Sequence, residues 1–195
     1  MPPSTFTSFF LATSSGGAAL IGLLFVATSI SPERVFSPKA SPELAAVAAS
    51  AFTALINAFF ISTAALLPVS NIGYTVLALG LVGSVNTISL GIRLARNRWQ
   101  NRSHFEKGRL WLRIVRDLVL VVGTLIVYLF QLNISIQLIG SSGDLSAIYA
   151  LATTILVVDG IGLLRAWELL GARRSGLLGW LNPLEDTGDP PAGGP

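Results

Sequence analysis

The sequence contains no cysteine, and it has one histidine and one methionine among its 195 residues. The absence of cysteine excludes disulfides and thiolate metal sites. One histidine and one methionine leave too few ligands for haem, copper or zinc. We therefore expect no cofactor and no metal.

Charged residues are also scarce. Only 12% of the residues are charged and 52% are hydrophobic, whereas soluble domains carry about 25% charged residues. A soluble fold of this length could not cover its surface with so few charges. Long uncharged apolar runs indicate a polytopic membrane protein instead.

Catalytic motifs are missing as well. The sequence has no HExxH, GxSxG, GxGxxG or P-loop pattern. Asp159 is the one aspartate near the middle of an apolar run, whereas intramembrane aspartyl proteases need two mid-membrane aspartates. The longest loop between apolar runs, 93–110, is too short for a catalytic domain. We therefore expect that the protein is not an enzyme.

Five apolar runs predict the fold. They predict an all-α bundle of five membrane-spanning helices at about 6–30, 43–67, 70–92, 111–136 and 146–170. Each run is long enough to cross ~30 Å of hydrocarbon. No basic residue precedes the first run, so we expect a retained helix and not a secretory signal. The bundle occupies 1–182, and the acidic tail 183–195, rich in proline and glycine, is predicted to be disordered.

The basic residues predict the orientation. With five spans, all 13 Lys and Arg residues fall on one side of the membrane. The positive-inside rule makes this side cytoplasmic, which places the N-terminus outside and the C-terminus inside. The tryptophans lie near the basic ends, and Tyr74, Tyr128 and Tyr149 lie toward the opposite ends. We expect a multi-pass protein of the bacterial cytoplasmic (inner) membrane.

Local signals mark the helix ends and the packing faces. Asp144 is a predicted N-cap of the fifth helix, and Ser41, followed by Pro42, is the predicted N-cap of the second. Two small-residue faces are predicted to pack against other helices. They comprise Ser15, Ala18, Ala19 and Gly22 in the first span, and Gly80, Gly83, Ser84 and Thr87 in the third. These faces favour a tight bundle and a homo-oligomer.

The loop at 93–110 mixes bases with aromatic residues, a composition that also occurs in nucleic-acid-binding patches. Because the loop connects two membrane spans, anionic lipid headgroups at the cytoplasmic face are the better partner, and we expect no nucleic acid. The candidate headgroup contacts are Arg93, Arg96, Arg98, Trp99, Arg102, Lys107, Arg109 and Trp111.

Asp159 is the residue most suggestive of function, because an acid inside a membrane span is costly. The second span carries a polar stripe of Ser50, Thr53 and Asn57, and Asn57 lies at a depth similar to that of Asp159. The bulky residues Phe52, Leu55, Phe59 and Leu66 are predicted on the lipid side of that helix. Asp159 is then either a structural clasp, hydrogen-bonded to Asn57 or a backbone carbonyl, or a site for a proton or cation.

Two ion pairs are predicted at the membrane boundary. Arg165 and Glu168 are three residues apart, and Arg113 and Asp117 are four apart, so each pair can form within one helix. Arg165 is also close enough to the interface to extend its guanidinium to the headgroups.

Two functions are compatible with these features. The first is movement of a small ion or solute, as a channel or transporter subunit, along a polar path near Asp159 and Asn57, with Ser50 and Thr53. The alternative is a non-transporting accessory, scaffold or signalling component of the membrane.

Overall fold

The computed structural model of the chain describes residues 4–30, 42–68, 71–100, 107–141 and 143–169. A short 3-10 turn, Ser4–Phe6, precedes five α-helices. These are α1 (Thr7–Ile30), α2 (Pro42–Leu66), α3 (Gly73–Gln100), α4 (Lys107–Gly140) and α5 (Leu145–Leu169). Each helix contains an apolar segment long enough to cross a membrane. The prediction of an all-helical chain with five such helices is confirmed.

The helix bounds follow the hydropathy pattern closely at most ends. Helices α1, α2 and α5 agree with the predicted spans to within one residue at each end. Helix α3 continues eight residues past its predicted end at 92, and α4 begins at Lys107 and ends at Gly140, beyond the predicted 111–136. Most of the added residues lie beyond the apolar segments Gly73–Arg93 and Val121–Gly140, so these two helices continue past their membrane-spanning parts.

Consecutive helices are antiparallel. The Thr13 hydroxyl of α1 donates to Ser62 Oγ of α2 at 2.8 Å, and Ser14 and Thr63 share a second hydrogen bond of 2.8 Å. Helix α2 contacts α1, α3 and α5, and α4 contacts α3 and α5. The second helix is therefore the centre of the bundle, and the last helix packs beside it.

Glycines bring α3 and α4 into close contact. A Cβ atom at Gly73 would lie 2.8 Å from Ile139, one at Gly80 would lie 2.8 Å from Leu132, and one at Gly83 would overlap the Tyr128 ring. These separations are too short for any side chain without movement of the partner. The predicted packing face of the third helix is therefore a real contact surface, and α4 covers it.

The apolar core is uneven along the bundle. We call the end that holds Ser4 the N-terminal end and the end that holds Leu169 the C-terminal end. The larger buried cluster fills the N-terminal half and includes Phe10, Ile61, Ile134, Leu138 and Ile148. The cluster in the C-terminal half is much smaller and is formed by Leu24, Ala51 and Leu55 with partly buried neighbours.

Two side chains fix the turns at the N-terminal end. Asn71 accepts a hydrogen bond from the Gly73 amide at 2.8 Å and donates to the Ile139 carbonyl at 3.2 Å, so it caps α3 and ties it to α4. The Asp144 carboxylate accepts from the amide and the hydroxyl of Ser146 at 2.9 and 2.8 Å, which confirms the predicted cap of α5. These hydrogen bonds lower the pKa of Asp144. Their contribution to stability is therefore present above the carboxyl's unfolded pKa and lost as pH falls through the lowered, folded-state pKa. Ser41 lies outside the described residues.

The predicted packing face of α1 is not covered within the described part of the bundle. Ser15, Ala18, Ala19 and Gly22 are exposed, and a Cβ at Gly22 would meet nothing within 4 Å. The face that meets α2 instead carries Thr13, Ser14 and Gly17. Small size alone does not determine which side of a helix is covered.

The predicted lipid side of α2 is also wrong. Leu55 is fully buried, and Phe52 packs against the cluster of Leu24, Ala51 and Leu55. The Phe59 side chain lies against Gly17, where a Cβ would be only 3.3 Å away. Helix α1, together with Gly162 of α5 beside Leu55, therefore covers the bulky face that the sequence assigned to lipid. The exposed large residues of this helix are Ile56 and Phe60, and Leu67, directly after its end, is exposed as well.

The three tyrosines do not share one interface. Tyr74 and Tyr149 are each 63% exposed, but Tyr128 is only 2% exposed and lies inside the bundle. Tyr128 points at Gly83 of α3, so its ring serves helix packing and not an aromatic belt. Trp167, near the C-terminal end of α5, is 59% exposed as an interfacial tryptophan would be.

Candidate functional site

A polar cavity lies between α2, α3, α4 and α5. Its volume open to the centre of a water molecule is about 10 Å³, which is room for about one water-sized species. Among the described residues that line it, all except Leu90 and Val121 carry a polar or charged group. The others are Ser50, Thr53, Asn86, Thr87, Thr124, Tyr128 and Arg165. Four helices thus direct polar side chains to one point in an otherwise apolar bundle.

A short hydrogen-bond chain orders one wall of the cavity. Asn86 Nδ2 of α3 donates to Thr53 Oγ1 of α2 at 2.7 Å, and the Thr53 hydroxyl donates to the Ala49 carbonyl at 2.8 Å. The Thr87 hydroxyl donates to the Gly83 carbonyl, also at 2.8 Å. Both threonine hydroxyl hydrogens are therefore committed to their own helices, and the Asn86 amide is held in a fixed orientation.

The cavity lies in the C-terminal half of the bundle. Arg165 is four residues before the end of α5, which corresponds to about 6 Å along the helix. Asn86 is seven residues before the end of the apolar segment Gly73–Arg93, or about 10 Å. The site is therefore within the apolar thickness but close to one boundary, and the large apolar cluster lies on its other side.

Arg165 lines the cavity, a position that the sequence did not predict. Its side chain is half-buried and lines the cavity beside residues of three other helices. The sequence suggested a local pair with Glu168 or an extension to the headgroups. The Glu168 side chain is outside the described residues, as are those of Arg113 and Asp117. A helical-wheel argument could not show that the bundle interior reaches Arg165.

Asn57 is buried as predicted, but its partner is different. It is 3% exposed, and its Nδ2 donates to the Leu79 carbonyl of α3 at 3.1 Å. Gln131 of α4, fully buried, makes the equivalent bond to the Val76 carbonyl at 3.1 Å. Within the described residues, the side-chain oxygens of both amides are buried without a hydrogen-bond partner. Gln131 was not among the predicted site residues, although a glutamine inside the fourth apolar run indicates a buried polar contact.

Asp159 does not bond to Asn57. Within the described residues its buried Oδ1 atom has no hydrogen-bond partner. Gly162 packs against Leu55, with a Cβ distance of 2.8 Å to that side chain. From this contact Asp159 is about 4.5 Å and Asn57 about 3 Å toward the N-terminal end, so their depths do match. Asn57, however, is two residues from Leu55, about 200° around the helix, and it faces α3 instead of α5.

The remaining candidates divide into two groups. Ser50 and Thr53 line the cavity, so the polar stripe of α2 does meet a polar space. Of the candidate headgroup contacts, Arg93 and Arg96 are exposed near the C-terminal end of α3. The side chains of Arg98, Trp99, Arg102, Lys107, Arg109 and Trp111 lie outside the described residues.

Comparison with known proteins adds no relative. No protein-family model, no curated protein and no solved structure matches the chain. The fold class is thus that of a helical bundle with five helices long and apolar enough to span a membrane.

Proposed function

We propose that the protein is an integral membrane protein that moves a small ion or solute, and that the polar cavity is its binding site. The observation that carries this proposal is the convergence of polar groups from α2, α3, α4 and α5 inside an apolar bundle. Polar and charged groups in membrane helices are costly, and they face a partner or a hydrated space. A cavity that gathers seven of them in one place is better suited to binding than to packing alone.

The path beyond the cavity leads past the two buried amides. Asn57 is one helical turn from Thr53 toward the N-terminal end, and Gln131 is about one turn from Tyr128 in the same direction. Beyond them lies the apolar cluster that contains Ile61 and Ile134. In this proposal, the arrangement is a state that is accessible from the C-terminal end and closed at the other. Asp159 is not among the described residues that line the cavity.

Flux through reconstituted vesicles tests the proposal. Thr87→Val removes a cavity hydroxyl at nearly constant volume, and we expect it to reduce the flux of the transported species at least several-fold. Thr153→Val is the matched control, because Thr153 also donates to the carbonyl four residues earlier, at 3.0 Å, but is exposed on the outer surface of α5. Vesicles that show no flux of any common ion or small solute above protein-free vesicles would refute the transport function.

One specific observation supports the alternative, a non-transporting accessory function. The exposed face of α1 carries Ser15, Ala18, Ala19 and Gly22 with no neighbour in the bundle, and small faces allow close approach of another membrane helix. A protein without flux that co-purifies with a second membrane protein, and loses it on substitution of Ala19 by leucine, would support this alternative.

We further propose that the C-terminal end of the bundle faces the cytoplasm of a bacterium and that the N-terminus is outside. The distribution of Lys and Arg supports this orientation.

The absence of native cysteine gives a clean test of orientation. Single cysteines at Ser4 and at Ser103 should react differently with a membrane-impermeant thiol reagent on intact cells. We expect labelling at position 4 and none at position 103 until the cells are lysed. The reverse pattern would show that the orientation is inverted.

A further inference from the structure

Two buried side-chain amides bind the backbone of α3 beside its glycines. Gln131 of α4 and Asn57 of α2 each donate to a backbone carbonyl of α3 at 3.1 Å. These carbonyls are those of Val76 and Leu79, in that order. In an α-helix they also accept from the backbone amides four residues later, which belong to Gly80 and Gly83. A Cβ at Gly80 would lie only 3.3 Å from Nε2 of Gln131. Each side-chain amide therefore lies beside the backbone hydrogen bond of a glycine.

The same stretch of α3 is weakened by its own side chains. The Ser84 hydroxyl donates to the Gly80 carbonyl and the Thr87 hydroxyl donates to the Gly83 carbonyl, each at 2.8 Å. Such bonds to the preceding turn slightly destabilise a helix and often bend it, and glycine in a helix interior is destabilising as well. Glycine and serine together are a common location of sharp helix bends. The segment from Gly80 to Thr87 therefore has the composition of a bending point.

The side-chain oxygens of both amides are available for a further hydrogen bond. Asn57 is 3% exposed and Gln131 is fully buried, and among the described residues neither Oδ1 of Asn57 nor Oε1 of Gln131 has a partner. A buried acceptor without a partner is costly, and a side chain that only joined two helices would need its donor alone. An amide oxygen beside a backbone hydrogen bond can accept the N–H when that bond breaks, while its NH₂ group keeps the carbonyl. A side chain inserted between backbone groups in this way bends a helix.

We propose that α3 bends at Gly80–Gly83, and that Gln131 and Asn57 replace the backbone hydrogen bonds that are lost there. In the straight helix each amide has one hydrogen bond and an unused oxygen. In the bent helix each amide has two, and both groups of the broken backbone bond keep a partner. The same pair of side chains therefore stabilises both forms of α3, and the form described above is the straight one.

The bend has a consequence for the N-terminal end of the bundle. Helix α4 is weakened at the same level, because Ser135 donates to the Leu132 carbonyl at 2.7 Å and Leu132 lies against Gly80. Asn71 joins the adjacent ends of α3 and α4, so the two ends would move together. The apolar cluster of the N-terminal half has members on α3 and α4 and others on α1, α2 and α5, and this movement would divide it. Opening of the cavity toward the N-terminal end rests on the proposed function, whereas the bend itself does not.

Distances between pairs of nitroxide labels, measured by pulsed electron paramagnetic resonance in vesicles, test the bend, and the absence of native cysteine allows each pair to be placed freely. The first pair joins Tyr74 of α3 to Thr153 of α5, both exposed in the N-terminal half. The reference pair, Ile88 and Leu164, is exposed on the other side of the bending point. A bend of roughly 20° displaces Tyr74 by about 3 Å, because it is about 9 Å along the helix from Gly80. We expect a second distance, displaced by this amount, for the first pair and a single distance for the reference pair.

Gln131→Leu distinguishes bending from simple packing. Leucine makes neither hydrogen bond, so the bent form loses two and the straight form loses one, and the population at the second distance should fall at least several-fold. If Gln131 only joined α4 to α3, its loss would loosen that contact and the second population would grow. Gln137→Leu is the matched control, because Gln137 is an exposed amide of the same helix that bonds to Asn133. It should leave both distance distributions unchanged, and circular dichroism confirms that each variant is folded.

The outcomes separate the bend from the transport function. A single narrow distance for the pair Tyr74 and Thr153 overturns the bend, as does a second distance of equal size in the reference pair. A second population that persists or grows in folded Gln131→Leu overturns the role of the amide. Flux without a second distance overturns the bend and leaves the transport function standing. A second distance without any flux supports the bend and refutes transport.

Discussion

Replacing Gly83 with alanine is expected to lower the stability of the bundle by about 1–3 kcal/mol, the usual cost of overpacking. The added methyl group would lie 2.6 Å from Cζ and 2.7 Å from Cδ1 of the Tyr128 ring, which is a stiff neighbour and itself fully enclosed. Either the ring or the α3 backbone has to move. Unfolding by SDS titration, followed by circular dichroism, measures the loss.

Two further variants make this result specific. Gly123→Ala adds the same methyl group to α4, where nothing lies within 4 Å, and it should cause no loss of stability. Tyr128→Leu removes the ring, so adding Gly83→Ala to Tyr128→Leu should cost less than it does in the wild type. A Gly83→Ala protein as stable as Gly123→Ala would show that α3 and α4 are not packed through this glycine.

Replacing Asp159 with alanine is expected to raise stability, by on the order of 2 kcal/mol, because an acid at the centre of a membrane helix costs about 2.5–3.5 kcal/mol. Within the described residues the carboxyl has a buried oxygen without a partner, so its removal breaks no hydrogen bond there. Alanine also fits beside Gly162 without added volume. The same SDS titration measures the gain.

Asp144→Ala provides the contrast, since that carboxylate accepts two hydrogen bonds from Ser146 at the start of α5. Its loss should destabilise the protein, opposite in sign to the effect at Asp159. A destabilised Asp159→Ala variant would revive the hypothesis of a structural clasp. A stabilised variant with diminished flux would indicate that the carboxyl is retained for function at the expense of stability.

The features that sequence predicted correctly depend on residues close together along the chain. Hydropathy over a single run gave the five helices, because crossing a bilayer is a property of each segment alone. The Asp144 cap needs only Ser146, two residues later. The glycines of α3 lie on one face because of helical periodicity. This face could therefore be predicted without knowing which helix covers it.

The features that sequence missed depend on which helices are neighbours. The depth of a residue along the bundle is set by its position in its helix, and Asn57 and Asp159 do lie at similar depths. The direction of each side chain depends on the positions of α3 and α5 around α2. Because Leu55 contacts Gly162 of α5, Asn57 lies on another side of α2, where it bonds to α3. The polar cavity combines residues of four helices, so no single segment carries its signature.

The position of α5 beside α2 has a consequence for biogenesis. Helices α1 and α2 form one hairpin, and α3 and α4 form another, each made of neighbours along the chain. The polar face of α2 is already satisfied in part once α3 is present, through the Asn57 bond to Leu79 and the Asn86 bond to Thr53. Arg165, on α5, leaves the ribosome after these four helices and then covers the remaining side of the cavity. Until that moment the cavity is an open lateral groove, so membrane quality-control factors that recognise exposed polar surface would encounter the nascent protein there.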